Sequence, residues 1–137
     1  YLSYLPDEHR RQQLQIRRDQ RGSLAEFLKG AHFGQLFVSR TKPGVTRGNH
    51  YHHTKTEKFF VVEGEGMVRM RHIDSTKVAE YPVSGRQFQV IDIPPGFAHS
   101  IENVGSTEMV TLFWSSEIFQ PDRPDTYFLE VLQRQCV

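Results

Sequence analysis

With 137 residues, sixteen acidic and seventeen basic, and a formal charge of +1, the chain has room for one domain and carries no net field that would draw nucleic acid or an acidic membrane. A single cysteine, Cys136, excludes an internal disulfide and favours a reducing compartment. No run of about 20 apolar residues and no signal-peptide pattern occurs, so a cytoplasmic location is expected.

The first stretch is basic, with Arg10, Arg11, Arg17, Arg18 and Arg21 reading as a solvated lead-in. Residues 6–14 are predicted helical, Asp7 and Glu8 suiting the dipole of the first turn. From Leu24 the texture changes to short apolar runs broken by glycine, proline and polar turns. Strands are predicted at 35–40, 58–63, 67–73, 78–83, 87–91, 99–103 and 109–114, a sandwich or barrel pattern. Gly64-Glu65-Gly66 reads as a tight hairpin connection and Asp74-Ser75 as another. The first of these does not open a dinucleotide site, because Arg69 stands where the third glycine belongs and no helix follows. Residues 120–125 read as an irregular connector and 126–132 as a helix capped by Asp125.

The segment from Arg47 to Phe59 carries the chemistry. His50, His52, His53 and Glu57 fall within eight positions. Strand alternation turns His50 and His52 to one face, and Tyr51 and His53 to the other. Two imidazoles on one face, followed by a carboxylate, converge on either a metal site or a general base. His53 reads as a surface or interface residue, and His9, His32 and His72 as ordinary ones.

Two spaced patterns resemble the cupin family: Gly44-x5-His50-x-His52-x4-Glu57-x6-Gly64, and Pro94-x-Gly96-x2-His99-x3-Asn103. The second departs at its leading glycine, since Gly85 lies nine residues before Pro94 rather than six. The resemblance implies an all-β cupin double-stranded β-helix, a jelly-roll barrel, with the short helical N- and C-terminal segments read above. It also implies that His50, His52, Glu57 and His99 face the interior and hold a divalent metal. Three nitrogens and one oxygen suit Zn, Fe, Mn or Ni.

The flanks are similar to a series found in nucleotide-sugar 3,5-epimerases and keto-sugar isomerases. They read Asp19-x-Arg21-Gly22-Ser23-Leu24-x-Glu26, Arg47-Gly48-x-His50, Lys58, and Pro94-Pro95-Gly96-Phe97-Ala98-His99. This resemblance implies that His50 is the base beside a ketone, and that Arg47 and Lys58 contact the substrate and its enolate. Asn49 and Lys55, in the same segment, join Arg47 as candidate substrate-binding residues. The wider group carries a donor tyrosine on the next strand, where this sequence reads Leu112-Phe113-Trp114. Tyr51, Tyr127 or a water therefore become the candidate proton donors, Tyr51 being counted among the catalytic residues. If a metal takes both His50 and His52, His50 keeps no lone pair for the base role, and the sequence leaves that alternative open.

Nearly the whole chain is similar to the C-terminal cupin domain of the bifunctional capsular-polysaccharide (CapF-type) UDP-sugar 3-epimerase/4-ketoreductases. Tyr1 to Pro6, Lys42-Pro43-Gly44, Arg47 to Phe59, Ile101-Glu102-Asn103 and Pro124 to Val131 carry the likeness. It implies carbon-3 epimerisation of a UDP-2-acetamido-2,6-dideoxy-hexos-4-ulose, on the route to N-acetyl-L-fucosamine in capsular polysaccharide or O-antigen precursors. It also implies zinc in the cupin domain, and NADPH only in an N-terminal short-chain-dehydrogenase domain. The chain opens on Tyr1 rather than Met, so residues 1–23 are expected to lead in from that reductase, with the barrel at 24–119 and a tail at 120–137. A homodimer is the default assembly for the fold. The alternatives are a nucleotide-sugar 3,4-ketoisomerase, a metal-dependent cupin oxygenase and a non-catalytic sugar-binding cupin.

Overall fold

Short β-branched and aromatic runs punctuated by glycine become a fold of strands alone, described by a computed structural model over residues 10–133. In chain order these are β1 (Ile16–Asp19), β2 (Gly22–Gly30), β3 (Gly34–Thr41), β4 (Thr46–Tyr51), β5 (Glu57–Glu63), β6 (Glu65–His72), β7 (Ala79–Ser84), β8 (Val90–Ile93), β9 (Phe97–Asn103), β10 (Met109–Ser115) and β11 (Tyr127–Phe128). They make two antiparallel sheets, β1-β2-β3-β10-β5-β8 and β11-β4-β9-β6-β7. Phe59, Val61, Ile93 and Met109 of the first sheet meet Val68, Met70, Val83 and Ile101 of the second in one core. Alternation explains the choice: on β6, Val68 and Met70 are buried while Met67 and Arg69 are only partly so. Burying each such side chain contributes roughly 1.5–3 kcal/mol.

The predicted strands correspond to β3 and to β5 through β10, with β8 beginning at Val90 rather than at residue 87. β2 went unread because Leu24-Ala25-Glu26-Phe27-Leu28-Lys29 are good helix formers. Pairing with β3 overrides that preference, and a bulge between Glu26 and Leu28 breaks the alternation a reader would look for. The turn at Gly64 is not a hairpin: β5 pairs with β10 and β8, and β6 with β7 and β9, so the chain crosses there from one sheet to the other. The Asp74-Ser75 connection does join paired strands.

Both predicted terminal helices need correction. Residues 6–9 lie outside the described range, and residues 11–15 have no regular structure. The tail helix is replaced by β11, whose Tyr127 and Phe128 pair with Tyr51 and His50 of β4. The sheet also begins at Ile16, so the barrel starts inside the segment expected to be linker. No helix among the described residues is long and apolar enough to cross a membrane.

Candidate metal centre and cavity

The segment Arg47-Gly48-Asn49-His50 is shaped by a bulge. β4 pairs with β9 in register through Gly48–Ser100, then slips by one residue so that His50 faces His99. Gly48 has φ 99, and a Cβ there would lie 2.7 Å from the His99 carbonyl oxygen, so only glycine fits. Asn49 follows at φ 62, another left-handed residue. The result sets His50 edge-on to His99 with ring centroids 4.7 Å apart, and His52, just beyond β4, joins them at 5.0 Å from His50. Glu57 opens β5 in the other sheet. Its Oε1 lies 3.1 Å from His52 Nε2 and its Oε2 3.0 Å from His99 Nε2. The ligand atoms of His50, His52, Glu57 and His99 all fall within 4.8 Å of one another.

Hydrogen bonding fixes the tautomers. His52 Nδ1 is 2.6 Å from the Asp125 carbonyl oxygen, and His99 Nδ1 is 2.9 Å from that of Phe97. A carbonyl only accepts, so each Nδ1 carries a proton, and in a neutral ring that leaves Nε2 as a bare acceptor turned inward. Both Nε2 atoms are buried without a hydrogen bond, although a carboxylate oxygen stands 3.0–3.1 Å away. Lone pairs facing lone pairs at that distance repel unless a cation lies between them. The donor set therefore fits a divalent ion, and the Nδ1–carbonyl bonds are the outer partners such ligands use. Burial, then the neighbouring His99, lowers His50 to about 4, so that ring is neutral at ordinary pH.

His50 differs from the other two imidazoles. It makes no hydrogen bond among the described residues, and with Glu57 it lines a cavity of about 210 Å³. Arg47 and Arg21 complete the polar side, and Leu24, Phe37, Phe59 and Phe113 form an apolar wall. A larger hollow of about 470 Å³ runs along Gln12, Gln13 and Ile16, away from the histidines. Arg47 is 9% exposed and is steered by its Nε bond to Thr41 Oγ1 at 2.8 Å and by Nη2 bonds to the Arg40 and Ser23 carbonyls. Arg21 is oriented by Asp19 at 2.6 Å. The sequence series containing Asp19-x-Arg21 pointed to that segment without assigning it a role.

Four expected site residues lie elsewhere. Lys58 follows inward-facing Glu57 on β5, so alternation turns it outward, where it pairs with Asp92 at 2.5 Å. Tyr51 sits on the outer face of β4, stacked on Tyr127 with centroids 5.3 Å apart, which removes both phenols from the cavity side. Lys55 is buried, its Nζ donating to the Pro124 carbonyl at 3.3 Å and lying over the Phe119 ring. Asn49 Oδ1 accepts from Val131 N at 3.2 Å, which makes it an anchor for the tail. His53 packs on the outer aromatic pair, 4.7 Å from Tyr127.

A family model for the polysaccharide biosynthesis C-terminal domain matches residues 17–127. The UDP-2-acetamido-2,6-beta-L-arabino-hexul-4-ose reductase of Pseudomonas aeruginosa is 40% identical over 131 residues, which is 96% of this chain but 35% of that protein. The capsular polysaccharide assembling protein CapF of Staphylococcus aureus superposes with a TM-score of 0.91 at 52% identity, over 95% of this chain and 38% of that one. The chain thus spans little more than a third of either relative. The dTDP-6-deoxy-D-glucose-3,5-epimerase RmlC of Legionella pneumophila, with a TM-score of 0.59 and 23% identity over 80% of this chain and 66% of its own, shares the fold. That fold is the cupin double-stranded β-helix, and the chain belongs to the polysaccharide biosynthesis C-terminal domain family as a CapF-type C-terminal cupin domain.

Proposed function

We propose that this domain epimerises the carbon beside the ketone of a nucleotide-linked 4-keto-6-deoxy sugar, with carbon 3 of a UDP-2-acetamido-2,6-dideoxy-hexos-4-ulose as the reacting centre. The observation that carries this reading is His50: a neutral, unbonded imidazole on the wall of a cavity whose other polar groups are the guanidinium groups of Arg47 and Arg21 and the Glu57 carboxylate. Its membership of a polysaccharide biosynthesis family and its likeness to CapF and to the Pseudomonas reductase support the substrate class.

The ketone at carbon 4 acidifies the hydrogen on carbon 3. His50 takes that proton, and Arg47 places positive charge on the side where the substrate's anionic groups and the enolate lie. His52, Glu57 and His99 would hold a divalent ion, zinc by the resemblance, and the ion's contribution is Lewis-acid polarisation of the ketone oxygen. Leaving the ion to these three frees His50 for the proton, which resolves the competition between its two roles. The apolar wall of Leu24, Phe37, Phe59 and Phe113 suits a deoxy carbon. With Lys58, Tyr51 and Tyr127 turned away, the returning proton comes from a solvent water. Reduction of the ketone with NADPH falls, by the resemblance to CapF-type proteins, to the remainder of such proteins, and Gly64-Glu65-Gly66 here is a sheet-to-sheet turn.

The test is to incubate zinc-loaded protein with the UDP-4-keto sugar in heavy water and follow the ring protons by NMR. Deuterium entering at carbon 3 alone is the expected result. Binding without any exchange would replace this reading with a sugar-binding cupin.

A further inference from the structure

The segment 124–131 is stitched to the edge of the barrel that carries the histidines. Leu129 N donates to the Asn49 carbonyl at 2.9 Å, and Val131 N to Asn49 Oδ1 at 3.2 Å. Arg71, 3% exposed, reaches across from β6 to donate to the Glu130 and Val131 carbonyls at 2.8 and 3.0 Å. At the other end the Asp125 carboxylate accepts the backbone N–H groups of His53, Thr54 and Lys55 at 2.9, 3.0 and 3.3 Å. Val131 is fully buried, but no residue of this segment belongs to the main core cluster.

The two buried imidazoles are held in different ways. His99 sits within β9 and finds its acceptor two residues away, on its own strand. His52 lies past the end of β4, and its acceptor is the carbonyl of Asp125, 73 residues further on. The same residue that pins the loop 53–55 through its side chain thus holds the His52 ring through its backbone.

We propose that the segment 124–131 is a clasp that sets the tautomer and orientation of His52, with Asp125 and Arg71 as its positioning residues. Its consequence for metal affinity rests on the metal reading above; the tautomer does not. Asp125 has φ 45, so Asp125→Gly removes the carboxylate without straining the backbone, and Asp125→Asn keeps one acceptor oxygen.

Zinc affinity, measured by competition with a chromophoric chelator, is expected to fall about 10- to 100-fold in Asp125→Gly and less in Asp125→Asn. Asp122→Ala, an exposed change in the same connector, is expected to leave affinity unchanged. In metal-free protein, heteronuclear NMR of the imidazole nitrogens is expected to show His52 as the Nδ1–H form, mixed tautomers in Asp125→Gly, and His99 unaltered in both. Wild-type zinc affinity and an unchanged His52 tautomer in a folded Asp125→Gly would overturn the clasp and leave the metal reading intact. Failure of the wild type to bind zinc would overturn the metal reading, while the tautomer spectra still decide the clasp. Should Asp125→Gly not fold, Asp125→Asn and Arg71→Lys put the same question.

Discussion

His52 and Asp125 stand 73 residues apart in the chain, yet the imidazole Nδ1 of one lies 2.6 Å from the carbonyl oxygen of the other. That bond spends the one proton of a neutral ring on its outer side. The inner nitrogen is left to face Glu57, as happens independently at His99. A carboxylate facing two bare ring nitrogens is an arrangement that a bound cation would relieve.

The energetic consequence can be measured by removing metal. An ion present at a hundredfold excess over its Kd stabilises the folded state by about 2.7 kcal/mol. Treatment with a strong chelator is therefore expected to lower Tm by several degrees, and zinc to restore it. Identical melting curves with and without zinc would mark the cluster as ordinary buried histidines.

Division of labour among the imidazoles gives a second expectation. His50→Asn is expected to slow carbon-3 deuterium exchange by roughly 100- to 10,000-fold while zinc content stays stoichiometric. His52→Asn is expected to lose the metal itself. Zinc lost from His50→Asn would assign that ring to the ligand set and require another base.

Lys58 tests the outward reading of β5. Its pair with Asp92 is solvent-exposed on both sides, 48% and 64%, so Lys58→Met is expected to change stability by less than about 1 kcal/mol. Exchange at carbon 3 is expected to be unaffected. A large loss of exchange at unchanged stability would show that the side chain reaches the substrate after all.

The metal cluster was legible because its geometry is local. His50 and His99 lie on β4 and β9, which pair directly, and His52 and Glu57 follow His50 within seven residues. Alternation says that Lys58 must face away from Glu57 and Tyr51 away from His50; the Lys58 role followed family resemblance against that rule, and Tyr51 was a candidate donor only for want of a phenol at Leu112-Phe113-Trp114. The role of Asn49 was hidden, because a bulge is a tertiary event with no signature in Gly48-Asn49 alone. β11 was hidden for a related reason: a two-residue strand carries no periodicity, and its partner, β4, lies far back in the sequence. Asp125 was expected to cap a helix at 126–132; there is no helix there, and its carboxylate instead accepts the N–H groups of residues 53–55.

Asn49 separates these effects in the tail anchor. Asn49→Ala loses the bond to Val131 N and the short polar side chain that makes φ 62 tolerable, each costing about 1 kcal/mol. Asn49→Asp retains an acceptor oxygen and tolerates the left-handed backbone, so urea denaturation is expected to rank it nearer the wild type. Equal losses for the two would show that the side-chain bond contributes nothing.

Acid titration reads the clasp through Asp125. Burial pushes its carboxyl up, but the N–H groups of His53 and Thr54, then the Thr54 hydroxyl and the Lys55 N–H, outweigh this and lower it from 3.8 to about 2. Between those values the unfolded chain holds a proton that the folded chain does not, so stability rises with pH. The carboxylate's contribution is complete above the unfolded value of 3.8 and disappears as pH falls through about 2. The gap in urea midpoint between wild type and Asp125→Asn, which cannot titrate, is therefore expected to be widest near pH 5 and to close steadily toward about pH 2. Comparing the two proteins cancels every other carboxyl that protonates over the same range. A gap that stays constant across it would mean the charge on Asp125 adds nothing to the bonds its oxygens make.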